Sequence, residues 1–246
     1  MTEINRRGLL KMGTAAAVGT ILAPGITLFQ AMAEDRTDSA ASSANRWGMV
    51  IDTNLCTERC EECTKACRIE NNVPLFGDKT IDAHWIRKAV ISPKNAPDKK
   101  TALPLLCNHC EYPPCKHVCP TAATFMRKDG LVLIDKHRCI GCRYCMIACP
   151  YKARSFVFKS TTEWTNKDVP KIAKGVVSKC HFCVHRIDAG KLPACVEVCQ
   201  KGGEKAMIFG NLNDPDSEVS RYIKKYAPKQ IRADLGVKPK VFYRGI

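Results

Sequence analysis

Sixteen cysteines in 246 residues fall into four groups of four, and this arrangement restricts the chain more tightly than any apolar pattern. The third group is the most regular. Cys139, Cys142, Cys145 and Cys149 are separated by two, two and three residues, and Pro150 follows. Two-residue gaps let a tight loop aim three thiolates at corners of one iron–sulfur cubane, and the fourth thiolate points away toward a neighbouring one. The second group, Cys107, Cys110, Cys115 and Cys119, widens its middle gap to four residues, which Pro113-Pro114 stiffens before Pro120 closes the run. In the fourth group, Cys180, Cys183, Cys195 and Cys199, the middle gap grows to eleven residues, with Gly190 and Pro193 turning the loop back. The first, Cys56, Cys60, Cys63 and Cys67, opens with three residues where two are usual.

Other uses of cysteine fit this pattern poorly. Disulfides across two-residue gaps would close small strained loops and add little stability. Structural zinc draws four thiols from two separated pairs, whereas Cys139 to Cys149 packs four into eleven residues. A Rieske-type centre would need histidine ligands; His109, His117 and His181 lie among the cysteines, but the cysteines already suffice for every cluster. The histidines are therefore expected to donate hydrogen bonds or face solvent. Tyr112, Tyr144, Tyr151, Phe156, Phe158 and Phe182 are expected to shield the clusters as core. No nucleophile–base pair, phosphate loop or paired acid is present, so the chain reads as a carrier of single electrons without a small-molecule substrate of its own.

The N-terminus carries a second signal. Arg6-Arg7 is followed by Leu9-Leu10 and Lys11, an uncharged stretch from Met12 to Phe29, and Ala31-Met32-Ala33 before Glu34-Asp35. This predicts a twin-arginine export signal over residues 1–33. About eighteen uncharged residues could also just span a bilayer, but Gly13, Gly19, Pro24 and Gly25 make the stretch only mildly apolar. Twin-arginine export carries folded proteins, which suits a cofactor inserted before translocation. The formal charge of +15 is not a nucleic-acid signature. Arg6, Arg7 and Lys11 against Glu3 leave +13 for the rest, and four clusters of net charge about −2 each reduce this to about +5.

Residues 34–45 read as a small-residue linker, and an internal repeat follows. Gly48-Met49-Val50-Ile51-Asp52 and Gly130-Leu131-Val132-Leu133-Ile134-Asp135 each deliver a cysteine loop as a short strand. Ala123–Arg127, Arg154–Phe158 and Ala206–Gly210 read as return strands of small hairpins. The cysteine runs are expected to hold no more than one or two helical turns. Residues 68–106 and 159–179 read as surface insertions, and the cysteine-free 211–246 as a tail that wraps the domain or docks a partner.

The motifs CNHCEYPPCKHVCPTAA, CIGCRYCMIACPY and KCHFC…GKLPACVEVC, in this order, resemble the four-cluster ferredoxin subunits of membrane-bound oxidoreductases. Within that family the opening RWGMVIDTNLC, the first loop CTERCEECTKAC, the leader and AMIFGNLNDPDSEVS are most similar to the periplasmic ferredoxin subunits of Dsr-type membrane complexes, the DsrO type. The resemblance implies an α+β fold of two intertwined ferredoxin-like units related by a pseudo-two-fold axis. An inner unit would span 103–158 and an outer one 46–67 with 175–210, leaving 68–102 and 159–174 as insertions. It implies four [4Fe–4S] clusters, held by Cys56, Cys60, Cys63 and Cys199; by Cys180, Cys183, Cys195 and Cys67; by Cys107, Cys110, Cys115 and Cys149; and by Cys139, Cys142, Cys145 and Cys119. Arg68 and Gln200 stand where family members carry proline after the last cysteine.

The partners implied are a polytopic quinone-interacting membrane subunit, a periplasmic multihaem cytochrome c, and the remaining cytochrome b and heterodisulfide-reductase-like subunits of such a complex. The electron carrier would work in the periplasm. A ferredoxin subunit of a molybdopterin oxidoreductase or hydrogenase is the alternative within electron transfer. A zinc-stabilised basic binding module is the distant one.

Overall fold

The computed structural model describes residues 41–246, apart from Lys79, Pro93, Ala96, Pro97, Lys99, Thr161 and Thr162. The export signal expected at 1–33 lies outside the described residues. No described helix is long and apolar enough to cross a membrane.

Nine short strands and six short α-helices alternate with the cysteine loops among the described residues. The strands are β1 (Trp47–Asp52), β2 (Ile86–Ile91), β3 (Thr101–Leu106), β4 (Thr124–Met126), β5 (Val132–Ile134), β6 (Ser155–Phe156), β7 (Val177–Ser178), β8 (Met207–Asn211) and β9 (Val241–Arg244). The helices are α1 (Glu62–Asn71), α2 (Pro114–His117), α3 (Tyr144–Ile147), α4 (Val184–Asp188), α5 (Ala194–Lys201) and α6 (Glu218–Tyr226). Strand pairing follows one rule. The strand leaving each cysteine group pairs antiparallel with the strand entering the next: β2 with β3, β4 with β5, β6 with β7. β8, leaving the fourth group, closes the series by pairing with β1, which enters the first.

β1 is apolar on both faces because it is central, between β8 and the parallel β9. Its period-two alternation sends Met49 and Ile51 to the main core beside Phe209, Val241 and Tyr243, and Val50 to a smaller cluster with Ile208 and Val219. α6 covers that second face; Ser217 caps it by accepting the Ser220 N–H at 3.2 Å. The cysteine-free tail therefore wraps the domain. Lys240 O accepts the Met49 N–H at 3.0 Å, and the buried Tyr243 hydroxyl donates to Pro104 O at 3.0 Å.

Two sequence expectations need revision. Residues 68–106 are not a bare surface excursion. They hold the β2–β3 hairpin, and Trp85, Ile86 and Leu106 enter the main core. The buried Trp85 Nε1 donates to Ser178 Oγ at 3.2 Å, which ties the hairpin to β7. Pro104 is tolerated in β3 because that strand pairs on one side only. The cysteine helices α2, α3 and α4 keep to one or two turns, but α1 runs ten residues, past Cys67 to Asn71, where a left-handed Asn72 ends it.

Candidate metal centres

Three of the four cysteine loops share one backbone device. The residue two after the first cysteine of each group, His109, Gly141 or Phe182, is left-handed, with φ of 42°, 71° and 55°. Ala122 and Lys152, each three residues beyond the last cysteine of groups two and three, are left-handed as well. For a non-glycine residue this conformation costs about 1–2 kcal/mol, so it persists where the surroundings impose it. Only Gly141 announces the turn in the sequence; there a Cβ would sit 2.2 Å from the Gly175 carbonyl oxygen. In the first loop, residues 57–59 contain no left-handed residue, and the extra residue between Cys56 and Cys60 lengthens the turn instead.

The thiols gather in four sets. Burial first, and then the neighbouring Cys56, Cys199 and Cys60 thiolates, push Cys63 up to about 12. Cys195 is held far above the ordinary thiol value by burial and by Cys183, Cys67 and Cys180. Burial and the charges of Cys107, Cys115 and Cys149 push Cys110 up to about 12. Cys145 is raised by burial and lies with Cys139 and Cys119; these three and the exposed Cys142 line one small cavity. The sets adjoin in a row. Cys67 and Cys195 feel Cys63 of the first set, Cys180 feels Cys107 of the third, and Cys115 of the third shares one buried cluster with Cys145 of the fourth.

These surroundings suit an anionic iron–sulfur group. All sixteen thiols are free, and eleven of them are buried, where an isolated thiolate would be strongly disfavoured; bound iron reverses that preference. Donors already point at sulfur. The N–H groups of Thr124, Val177, Phe182 and Ala206 reach Cys119, Cys139, Cys180 and Cys199 Sγ at 3.3–3.5 Å. Asn71 Nδ2 lies 3.8 Å from Cys67 Sγ and 3.5 Å from Cys183 Sγ. Lys179, buried, donates from Nζ to Cys180 O at 2.8 Å and to the Val132 carbonyl. Zinc fits less well. It needs thiolates about 2.3 Å from one ion, and among the described residues no three His, Cys, Asp or Glu side chains are grouped to hold a single ion.

His117 is exposed as expected, but the other two histidines and several aromatics depart from expectation. His109 and His181 are neither exposed nor donors at Nδ1: each accepts a backbone N–H there at 3.1 Å, from Val132 and Val184. Burial, with Lys179 nearby, drives His181 down to about 3. His109 stacks on Phe182 with centroids 4.0 Å apart, across the junction of the second and third sets. Phe182 shields as expected, but Tyr112, Tyr144 and Phe158 are exposed.

Residues 99–212 match the family described as a 4Fe-4S dicluster domain. Over 98% of its length the chain is 44% identical to the Hdr-like menaquinol oxidoreductase iron-sulfur subunit 1 of Archaeoglobus fulgidus, covering 97% of that protein. The chain belongs to the iron–sulfur electron-transfer subunits of membrane oxidoreductases. It is also 38% identical to a tetrathionate reductase subunit of Salmonella typhimurium, over 83% of this chain and 74% of that one. With a polysulfide reductase polypeptide of Wolinella succinogenes it shares 34% identity, over 81% and 94%. This subunit is a carrier rather than a catalytic chain, and its sixteen cysteines fit four [4Fe–4S] clusters.

Proposed function

We propose that this subunit is the extracytoplasmic member of a Dsr-type complex of dissimilatory sulfur metabolism, exported by its twin-arginine leader. There it relays single electrons between a multihaem cytochrome c and a quinone-interacting membrane subunit. The four ligand sets are those named above, one per cluster, in two intertwined units with a pseudo-two-fold relation; the cyclic strand pairing supports that arrangement. A bound cluster takes up and gives back one electron without breaking a bond. The chain's own residues hold the thiolates, exclude water with Phe182, Val196 and Leu131, and set the local charge.

One observation carries this reading. The likeness to the Archaeoglobus menaquinol oxidoreductase subunit runs over 98% of the chain, whereas tetrathionate and polysulfide reductase relatives match 81–83% of it. Those reductase relatives favour the second reading, a ferredoxin subunit of a molybdopterin enzyme. Anaerobic purification of the native complex separates the two. About sixteen irons on this subunit, c-type haem, and a polytopic membrane subunit whose quinol reduces the clusters are expected. A molybdopterin subunit in place of the cytochromes would overturn the Dsr-type assignment.

A further inference from the structure

Arg154 lies five residues beyond Cys149, and its side chain enters the seam between the third and fourth thiol sets. The residue is only 5% exposed. Its Nη2 donates to Cys115 Sγ at 2.9 Å and its Nη1 to Thr124 Oγ1 at 3.2 Å, and the Cys145 thiol lies close enough for the guanidinium to favour its charged form. Thr124 in turn donates its N–H to Cys119 Sγ at 3.4 Å. The charges that favour its cationic form are the Cys115, Cys145 and Cys107 thiolates, with no carboxylate among them. Cys115 and Cys145 share one small apolar cluster with Val132 and Val177, so the pairing is screened from water.

A buried guanidinium without an acid partner is expensive unless another anion faces it. Here two thiolates from different sets do so. We propose that Arg154 is a positioning residue shared by two clusters, a fixed positive charge that raises both reduction potentials and offsets their mutual repulsion when both are reduced. The inference rests on the ligand grouping proposed above. Reduction adds one negative charge to each cluster, and a cation bonded to a ligand sulfur of one and to Thr124, which donates to a ligand sulfur of the other, stabilises both reduced forms in a low-dielectric seam. The guanidinium suits this task because its planar fork presents several donors at once, which a lysine ammonium cannot reproduce in the same geometry.

The test is an anaerobic redox titration of the purified complex, followed by electron paramagnetic resonance, with Arg154→Gln and Arg154→Lys. Arg154→Gln is expected to lower the one-electron equilibrium constant of two clusters by about tenfold or more, about 59 mV each, and to leave the other two in place. Arg154→Lys keeps the charge and is expected to recover part of the shift. A shift in one cluster only, in all four, or equal for the two variants overturns the proposal. If Arg154→Gln fails to assemble, the wild-type complex with isotopically labelled arginine decides: nitrogen coupling to two reduced clusters supports the bridge, and coupling to one or none overturns it. The ligand grouping is tested apart, by Cys115→Ser and Cys145→Ser. They disturb different clusters if the grouping holds and the same cluster if it fails.

Discussion

Asn71 shows how closely single residues are fitted to the sulfurs. Its side-chain amide is buried at the end of α1, donates to Cys67 O at 3.0 Å and faces the Cys67 and Cys183 sulfurs. Asn71→Asp changes few atoms but sets a carboxylate against two thiolates. It is expected to cost about 3 kcal/mol, visible as a lower anaerobic denaturation midpoint; an unchanged midpoint would mean that the amide does not serve the sulfurs. Cys145→Ser is expected to remove or convert one cluster, lowering iron by up to about a quarter and reducing yield, because ligation and folding are linked. Full iron content with unchanged stability would remove Cys145 from the ligands. At this scale the sequence was legible where chemistry restricts residue type. Spacing alone singled out every cysteine. The groups that donate to the sulfurs were not legible: Asn71 meets Cys183 across 112 positions, and Arg154 meets Cys115 across 39.

Among the loops and strands, Gly141 combines a positive φ with a 2.2 Å approach to the Gly175 carbonyl. Gly141→Ala is therefore expected to cost about 1–3 kcal/mol and to weaken cluster retention in the third loop, measured as iron per chain after desalting. At the start of the first loop, Asp52 is buried, which works against its charge, but hydrogen bonds from Tyr222 and Asn54, with Arg244 beside it, hold it below the ordinary carboxylate value. A lowered carboxyl stabilises the fold above its unfolded value near 4 and loses that contribution as pH falls through the folded value. The stability gap between wild type and Asp52→Asn should thus be full at neutral pH and shrink on acidification. A pH-independent gap would sink this assignment. Local strands were readable from alternation and from the repeat before Cys56 and Cys139. The β1–β8 and β1–β9 pairings were not, because nothing local specifies partners more than 150 residues apart.

For the whole molecule, metal and fold stand or fall together. The main core is apolar residues interleaved with Cys63, Cys67, Cys107, Cys149, Cys180, Cys195 and Cys199, so stripping the iron leaves polar sulfur and empty space at its centre. Chelation under reducing, anaerobic conditions is expected to abolish the near-ultraviolet dichroism and open the chain to protease, whereas an apo-protein that stays compact would contradict a metal-organised core. The row of four sets was only partly visible beforehand: spacing gave the quartets, and the family resemblance gave the exchange of fourth cysteines between groups. Their order came from the fold, because it depends on how α1 and α5 bring Cys67 and Cys195 together. That exchange bears on biogenesis. With the ligand sets proposed above, all thiols of the third and fourth sets have been synthesised once Cys149 is made, but Cys56, Cys60 and Cys63 must wait for Cys199. Maturation would proceed from the middle of the sequence toward its two ends, and a polypeptide cut short before Cys199 could never complete the first set.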